Sequence, residues 1–78
     1  MSNANTENQI IFQLDGREYI ELNNLLKFTG LSASGGEAKA LISDGNVMVD
    51  GQVELRKRCK LRINQRVTLD NVNILIRE

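Results

Sequence analysis

The sequence predicts an α+β fold in which two packed helices lie against a small antiparallel sheet. Three observations predict it. Apolar residues recur with a helical period between residues 22 and 45, they recur with a strand period from residue 47 onward, and the two patterns occupy separate runs. Because 78 residues can bury only one modest core, we predict a single domain over residues 10–78, preceded by a disordered polar tail over residues 1–9.

The first elements are predicted to be a short hairpin and a helix. Residues 10–14 are apolar, Asp15-Gly16 is typical of a tight turn, and residues 19–20 are again typical of a strand. Apolar side chains over residues 22–29 then recur on one face of a helix. Gly30 is expected to end this helix because glycine enters the left-handed backbone region without a Cβ penalty.

A second helix is predicted to begin after Ser34 and to end at Gly45. Ser34 and Glu37 have the spacing of a capping box, in which the hydroxyl accepts a hydrogen bond from the Glu37 amide and the carboxylate returns to the helix start. Beyond Gly45 the apolar residues alternate, and they are divided into antiparallel strands by three turn sequences, Asp50-Gly51, Asn64-Gln65 and Asp70-Asn71.

The composition excludes most kinds of active site. The chain has no histidine, which removes the usual general base and metal ligand. Its one cysteine, Cys59, is therefore expected to be a small buried hydrophobe rather than a reactive thiolate. No apolar run approaches the ~18 residues that cross a bilayer. We expect a non-catalytic, cytoplasmic, monomeric protein with no cofactor, no metal, no small-molecule substrate and no membrane partner.

The formal charge is zero for the whole chain but not for its parts. Residues 1–55 carry eight acids and three bases, a charge of −5, and residues 56–78 carry seven bases and two acids, a charge of +5. A partner within a Debye length of ~8 Å responds to the local cluster rather than to the sum. The neutral total therefore does not argue against a polyanionic partner.

The positive charge is concentrated between residues 54 and 63. If this stretch is extended, its odd-numbered residues share one face, which is apolar except for Lys57 and is expected to pack on the core: Leu55, Cys59, Leu61 and Ile63. The even-numbered residues share the other face, where Glu54 is followed by four cations with no acid among them: Arg56, Arg58, Lys60 and Arg62. Repulsion among four cations is unfavourable in a purely structural edge strand, so the pattern favours a polyanion-binding face. The alternative is a solvated edge strand whose charges prevent aggregation.

Two other features have a functional and a structural interpretation. The glycines of Ser34-Gly35-Gly36 could let backbone amides approach a phosphate at the helix start, or the segment could only cap the second helix. The chain has three aromatic residues, Phe12, Tyr19 and Phe28, which are too few to indicate a base-stacking platform.

A specific motif runs through the helix pair and the strands after it. It comprises the leucines of the first helix, Ser34 with Ala38, and the run Leu41-Ile42, Gly45, Val47 and Val49-Asp50-Gly51. Over about two thirds of the chain this motif resembles the RNA-binding domain named after protein S-four of the small ribosomal subunit. The run Arg56-Lys57-Arg58-Cys59-Lys60 is similar to a signature of its short stand-alone, YbcJ-like bacterial members. The resemblance implies an αL-type module that binds structured RNA through the helix pair and the adjoining basic residues.

Two residues depart from the pattern of that family. Gly35 stands where the family usually has an arginine, and Glu21 stands where it commonly has a basic residue. Both departures remove a cation from the expected RNA face and shift the binding toward the basic run. We therefore predict that RNA is bound by nine residues: Arg56, Lys57, Arg58, Lys60, Arg62, Lys27, Lys39, Ser34 and Gly35.

The function predicted from the sequence is recognition of structured RNA by its backbone shape. Ribosomal RNA, transfer RNA or another translation-related RNA is the expected partner. The alternative is a protein-interaction module that docks on an acidic translation or ribosome-assembly partner.

Overall fold

The computed structural model describes residues 8–78. Strands precede and follow a helix pair in that range, which confirms the α+β class, and neither helix there is long and apolar enough to span a lipid bilayer. The bounds of the elements are β1 Asn8–Gln13, β2 Ile20–Glu21, α1 Leu22–Phe28, α2 Gly35–Ser43, β3 Val47–Val49, β4 Gln52–Val53, β5 Lys60–Leu61, β6 Arg66–Leu69 and β7 Val72–Arg77.

Both helices lie where the sequence predicts them. Helix α1 stops before Gly30, whose φ is 80°, and α2 stops before Gly45, whose φ is 82°. The Ser34 hydroxyl accepts a hydrogen bond from the Glu37 amide at 3.1 Å, and the Glu37 carboxylate accepts one from the Ala33 amide. The capping box predicted for α2 is therefore confirmed.

The first strand pairs with the last strand, so the predicted leading hairpin is wrong. The Asp15-Gly16 turn forms with positive φ at both residues, but β1 pairs in parallel with β7. Strand β2 joins a separate sheet, where it pairs antiparallel with β5, and it has only two residues because α1 begins at Leu22. Strand β1 already includes Asn8 and Gln9, and residues 1–7 of the predicted tail lie outside the described residues.

The larger sheet buries one face against the two helices. Its strand order is β1-β7-β6-β3-β4, and the parallel β1–β7 pair makes it mixed rather than purely antiparallel. The β3–β4 and β6–β7 hairpins turn at Asp50-Gly51 and Asp70-Asn71, as predicted. Both helices and the sheet contribute to one core, formed by Leu14, Ile20, Leu22, Leu25, Leu26, Ala38, Ile42, Val47, Leu61, Val67, Leu69, Ile74 and Ile76.

The small β2–β5 sheet positions the basic segment. Its two strands pair Ile20 with Leu61 and Glu21 with Lys60, and both Ile20 and Leu61 are buried in the core. Since α1 follows β2 directly, the residues before β5 lie beside the first turn of α1. A short strand pair thus brings together two parts of the chain that are about forty residues apart in sequence.

Candidate nucleic-acid interface

Residues 54–62, called the basic loop below, are irregular except near their end. Among them only Lys60–Leu61 form a strand, and a turn precedes it. The predicted extended stretch is therefore wrong, and so is its alternation, because Leu55 and Ile63 are 58% and 44% exposed whereas Leu61 is fully buried. The strand is short because its pairing partner, β2, has only two residues and ends where α1 begins.

The cations of the basic loop are nevertheless all exposed. Three of them, Arg56, Arg58 and Lys60, line a shallow cavity of about 430 Å³ together with Cys59. Five of the nine predicted RNA-binding residues therefore lie on one exposed segment, namely Arg56, Lys57, Arg58, Lys60 and Arg62.

Backbone hydrogen bonds hold the basic loop against the start of α1. The Leu22 amide donates to the Cys59 carbonyl at 2.9 Å, and the Asn23 amide donates to the Lys57 carbonyl at 3.0 Å. The first amides of a helix have no partner inside it, and Glu21, at the N-cap position, makes no side-chain cap. The carbonyls of the basic loop therefore satisfy the start of α1, and the same bonds fix the position of the loop.

Glu54 shapes the first part of the basic loop. Its carboxylate accepts hydrogen bonds from the Arg56 backbone amide at 2.9 Å and from the Arg56 guanidinium at 2.8 and 3.1 Å. The side-chain hydrogen bond with Arg56 is the largest cause that lowers the pKa of Glu54 from 4.5 to about 2. Glu54 is therefore ionised at neutral pH and is bound to a guanidinium that remains 78% exposed.

A second carboxylate reaches the basic loop from the acidic part of the chain. Glu21 lies 3.4 Å from the Arg58 guanidinium in a loose contact. The run from Arg56 to Arg66 contains no acid in the sequence, but two carboxylates from outside that run, those of Glu54 and Glu21, contact its arginines in space. The five cations less these two carboxylates leave a local formal charge of +3.

Tyr19 adds an aromatic ring that the sequence analysis did not assign to the site. The Lys60 ammonium lies 4.9 Å from the ring centroid, and the Arg62 guanidinium carbon lies 5.5 Å from it. Cation–π attraction positions both side chains at these distances. The sequence offered no signal for this cluster, since Tyr19 meets Lys60 only through the β2–β5 pairing.

Cys59 is half-buried and packs against the core. Burial is the largest cause that raises the pKa of its thiol. The thiol is therefore protonated at neutral pH, which agrees with the structural interpretation of this residue. Within residues 8–78 no three His, Cys, Asp or Glu side chains are grouped closely enough to hold a metal ion.

The remaining predicted residues lie at the helix pair. Gly35 is the first residue of α2, and a Cβ placed on it would lie 3.7 Å from the Lys27 Cδ of α1. Lys39 is exposed and lies one helical turn after Gly35, on the same face of α2. The Ser34 hydroxyl is engaged as the cap of α2. A phosphate contact at the Ser34-Gly35 start stays a prediction.

The chain is similar to known proteins over most of its length. The sequence pattern of the S4 domain matches residues 12–77. YbcJ of Escherichia coli (strain K12) is 49% identical over 57 residues, which cover 73% of this chain and 81% of that protein, and YbcJ of Shigella flexneri matches to the same extent. The solution structure of YbcJ from E. coli superposes with a TM-score of 0.73 at 37% identity, covering 100% of this chain and 99% of that one.

Proposed function

The chain belongs to the S4 domain family, and from this premise we propose that it binds structured RNA through the basic loop. The E. coli YbcJ structure is described as revealing an ALFAL motif involved in RNA-binding. The observation that carries the proposal is the exposed basic loop itself. Its five cations exceed the nearby carboxylates by three charges, and backbone hydrogen bonds hold it against α1.

The proposed mechanism is neutralisation of phosphates by a pre-positioned loop. Each Lys or Arg that contacts a phosphate releases condensed counterions, which supplies sequence-independent affinity. Folded RNA presents a deep, narrow major groove, so proteins recognise its backbone geometry and 2′-hydroxyls. Because the carbonyls of Lys57 and Cys59 are fixed by the start of α1, less loop entropy is lost on binding than for a free chain.

The proposed partners are ribosomal, transfer or other translation-related RNAs, bound in the cytoplasm by a monomer that catalyses no reaction. Crosslinking in cells, followed by sequencing of the bound RNA, tests the partner. Enrichment of such RNAs is expected, and enrichment of unrelated messenger RNAs alone would contradict this part of the proposal.

The salt dependence of RNA affinity tests the electrostatic mechanism. If about four phosphates are neutralised, a plot of log K against log salt has a slope of about −3 to −4. Fluorescence anisotropy with a labelled RNA hairpin between low and moderate salt gives this slope. A slope near zero would contradict phosphate neutralisation.

Charge reversal with a matched control tests the location of the site. Lys57→Glu with Lys60→Glu changes the basic loop at two exposed residues, neither of which is ion-paired with a carboxylate within residues 8–78. Arg66→Glu with Arg77→Glu changes the net charge equally at exposed residues of the large sheet. We expect the first pair to abolish most of the RNA affinity and the second to lower it only slightly. Equal losses would remove the basic loop from the proposal.

The alternative proposal is docking on an acidic protein partner of the translation or ribosome-assembly machinery. The opposite charges of the two parts of the chain, −5 and +5, are the observation that favours it. RNase treatment of a lysate separates the two proposals. Release of the protein from its complex supports RNA binding, and retention supports a protein partner.

A further inference from the structure

A groove beside the basic loop combines aromatic and cationic side chains. It lies between the turn after β1 and the outer side of α1, has a volume of about 510 Å³, and is lined by Arg17, Tyr19, Glu21, Asn24, Phe28 and Arg58. Arg58 belongs to both this groove and the cavity of the basic loop. A chain bound along the loop can therefore continue into the groove without leaving protein surface.

Phe28 is exposed in this groove although it is a large apolar residue. Its side chain is 61% exposed at the last position of α1. Its ring is parallel to that of half-buried Phe12 within 2°, with the centroids 6.3 Å apart. Phe12 lies in β1 and packs against the core, so it gives the exposed ring a fixed neighbour. An ordered aromatic face open to solvent is what a stacking partner requires.

Cations flank this ring on the groove side. The Arg17 guanidinium carbon lies 5.9 Å from the Phe28 centroid, which is too far for close stacking contact but near enough for cation–π attraction. Arg58 lines the same groove and is held only loosely by Glu21, at 3.4 Å. The Phe28 ring and the two guanidinium groups line the same groove, an arrangement that suits a ligand with a planar ring and neighbouring phosphates.

We propose that this groove takes one unpaired nucleotide of the bound RNA, with its base stacked on Phe28 and its flanking phosphates on Arg17 and Arg58. This inference rests on the proposed function and deepens it. Every base has a π face, so stacking is tolerant of sequence. The protein then selects folded RNAs in which a bulged or looped-out nucleotide lies next to a duplex. The groove has two arginines against one carboxylate, that of Glu21, and this net positive charge favours a nucleotide over an apolar peptide.

The test compares two RNA hairpins that differ by a single bulged nucleotide, with fluorescence anisotropy as the measurement. The wild-type protein is expected to bind the bulged hairpin more tightly than the fully paired one. Phe28→Ala is expected to lower the affinity for the bulged hairpin by about 5- to 150-fold and to change the affinity for the paired hairpin less than about twofold. Phe28→Leu is expected to behave like Phe28→Ala, and Phe28→Tyr like the wild type, because stacking needs an aromatic ring.

Ile11→Ala is the matched control, because Ile11 is a comparably exposed apolar residue, 53% exposed, on β1. It is expected to leave both affinities unchanged, and circular dichroism verifies that every variant is folded. If the wild type binds both hairpins equally and Phe28→Ala alters neither affinity, the groove proposal is overturned while RNA binding by the basic loop stands. If Phe28→Ala lowers both affinities equally, stacking of an unpaired base is overturned as well. If neither hairpin binds, both proposals fail.

Discussion

Helix α2 carries its own N-terminal cap, whereas helix α1 receives its cap from the basic loop. At α2, Ser34 and Glu37 satisfy the start of the helix within five residues of chain. At α1, the amides of Leu22 and Asn23 donate to carbonyls more than thirty residues away, and no side chain caps the helix. The two starts therefore differ in where their hydrogen-bond partners come from.

Only the start of α1 couples the stability of the fold to the proposed binding surface, because its hydrogen-bond partners belong to the basic loop. A change that displaces the basic loop leaves the first amides of α1 without partners, and buried unpaired amides are costly. A change at the start of α2 affects one cap and leaves the basic loop in place.

The largest expected effect is that of Leu61→Ala. Leu61 is fully buried and is the residue of β5 that anchors the end of the basic loop in the core. Loss of a buried leucine costs about 2–5 kcal/mol, and we expect the free energy of unfolding to fall by that amount in urea titrations. Amide exchange at Leu22 and Asn23 is expected to accelerate in the same variant.

Ile63→Ala is the control for that variant, because Ile63 belongs to the same predicted alternation but is 44% exposed. We expect it to change the free energy of unfolding by less than about 0.5 kcal/mol, as for ordinary surface substitutions. A loss as large as that of Leu61→Ala would contradict the anchoring role of Leu61.

A smaller effect is expected for Ser34→Ala. Removing a hydroxyl cap typically costs about 1 kcal/mol, measured again by urea unfolding. Hydrogen exchange is measured under conditions in which amides exchange by local opening. Exchange of the Glu37 amide, which donates to Ser34, is expected to accelerate, and exchange of the Leu22 amide is expected to stay unchanged. Ser34→Asp retains an acceptor and serves as the control. Equal acceleration at Glu37 and Leu22 would show that the two helix starts are not independent.

The stability that Glu54 contributes to the basic loop is expected to change with pH only in the acidic range. The folded-state pKa is lowered from 4.5 to about 2, so the carboxylate contacts with Arg56 are fully present above the unfolded value. They are lost as the pH falls from about 4.5 toward 2. A carbon-13 NMR titration of the Glu54 carboxyl measures this. A midpoint near 4.5 would contradict the Arg56 contact.

The smallest expected effect concerns Cys59. Because burial raises the pKa of its thiol, alkylation by iodoacetamide at pH 8 is expected to be slower than for a free cysteine. Leu61→Ala is expected to raise the rate, since it loosens the packing of Cys59 against the core. Alkylation as fast as that of free cysteine would contradict the packing of Cys59 against the core.

Local features of the sequence predicted much of the fold. The capping box at Ser34, the glycine helix stops and the Asp50-Gly51 turn are all confirmed, because each depends on residues within a few positions of one another. The predictions that were wrong depended instead on residues far apart in sequence. The leading hairpin and the extended basic stretch depended on which strand pairs with which, and β1 pairs with β7 while β5 finds only a two-residue partner.

The candidate site likewise has one part that the sequence predicts and one part that it does not. Its charged residues are visible in the sequence as the run from Arg56 to Arg62, and all of them are exposed as expected. Their neighbours are not visible there. Glu21, Tyr19 and the Phe12–Phe28 stack meet the site only after the strands have paired, which is why three scattered aromatic residues did not suggest a stacking surface.

The sequence by itself determined the helix positions, the turns at Asp15-Gly16, Asp50-Gly51 and Asp70-Asn71, the family and the segment that holds the positive charge, since periodicity, capping and local charge are properties of neighbouring residues. Only the tertiary structure decided how that charge is arranged and what surrounds it. The decisive step is the burial of Ile20 and Leu61 in one core. That burial pairs β2 with β5 and brings the basic loop to the amides of α1, a long-range choice that no local pattern encodes.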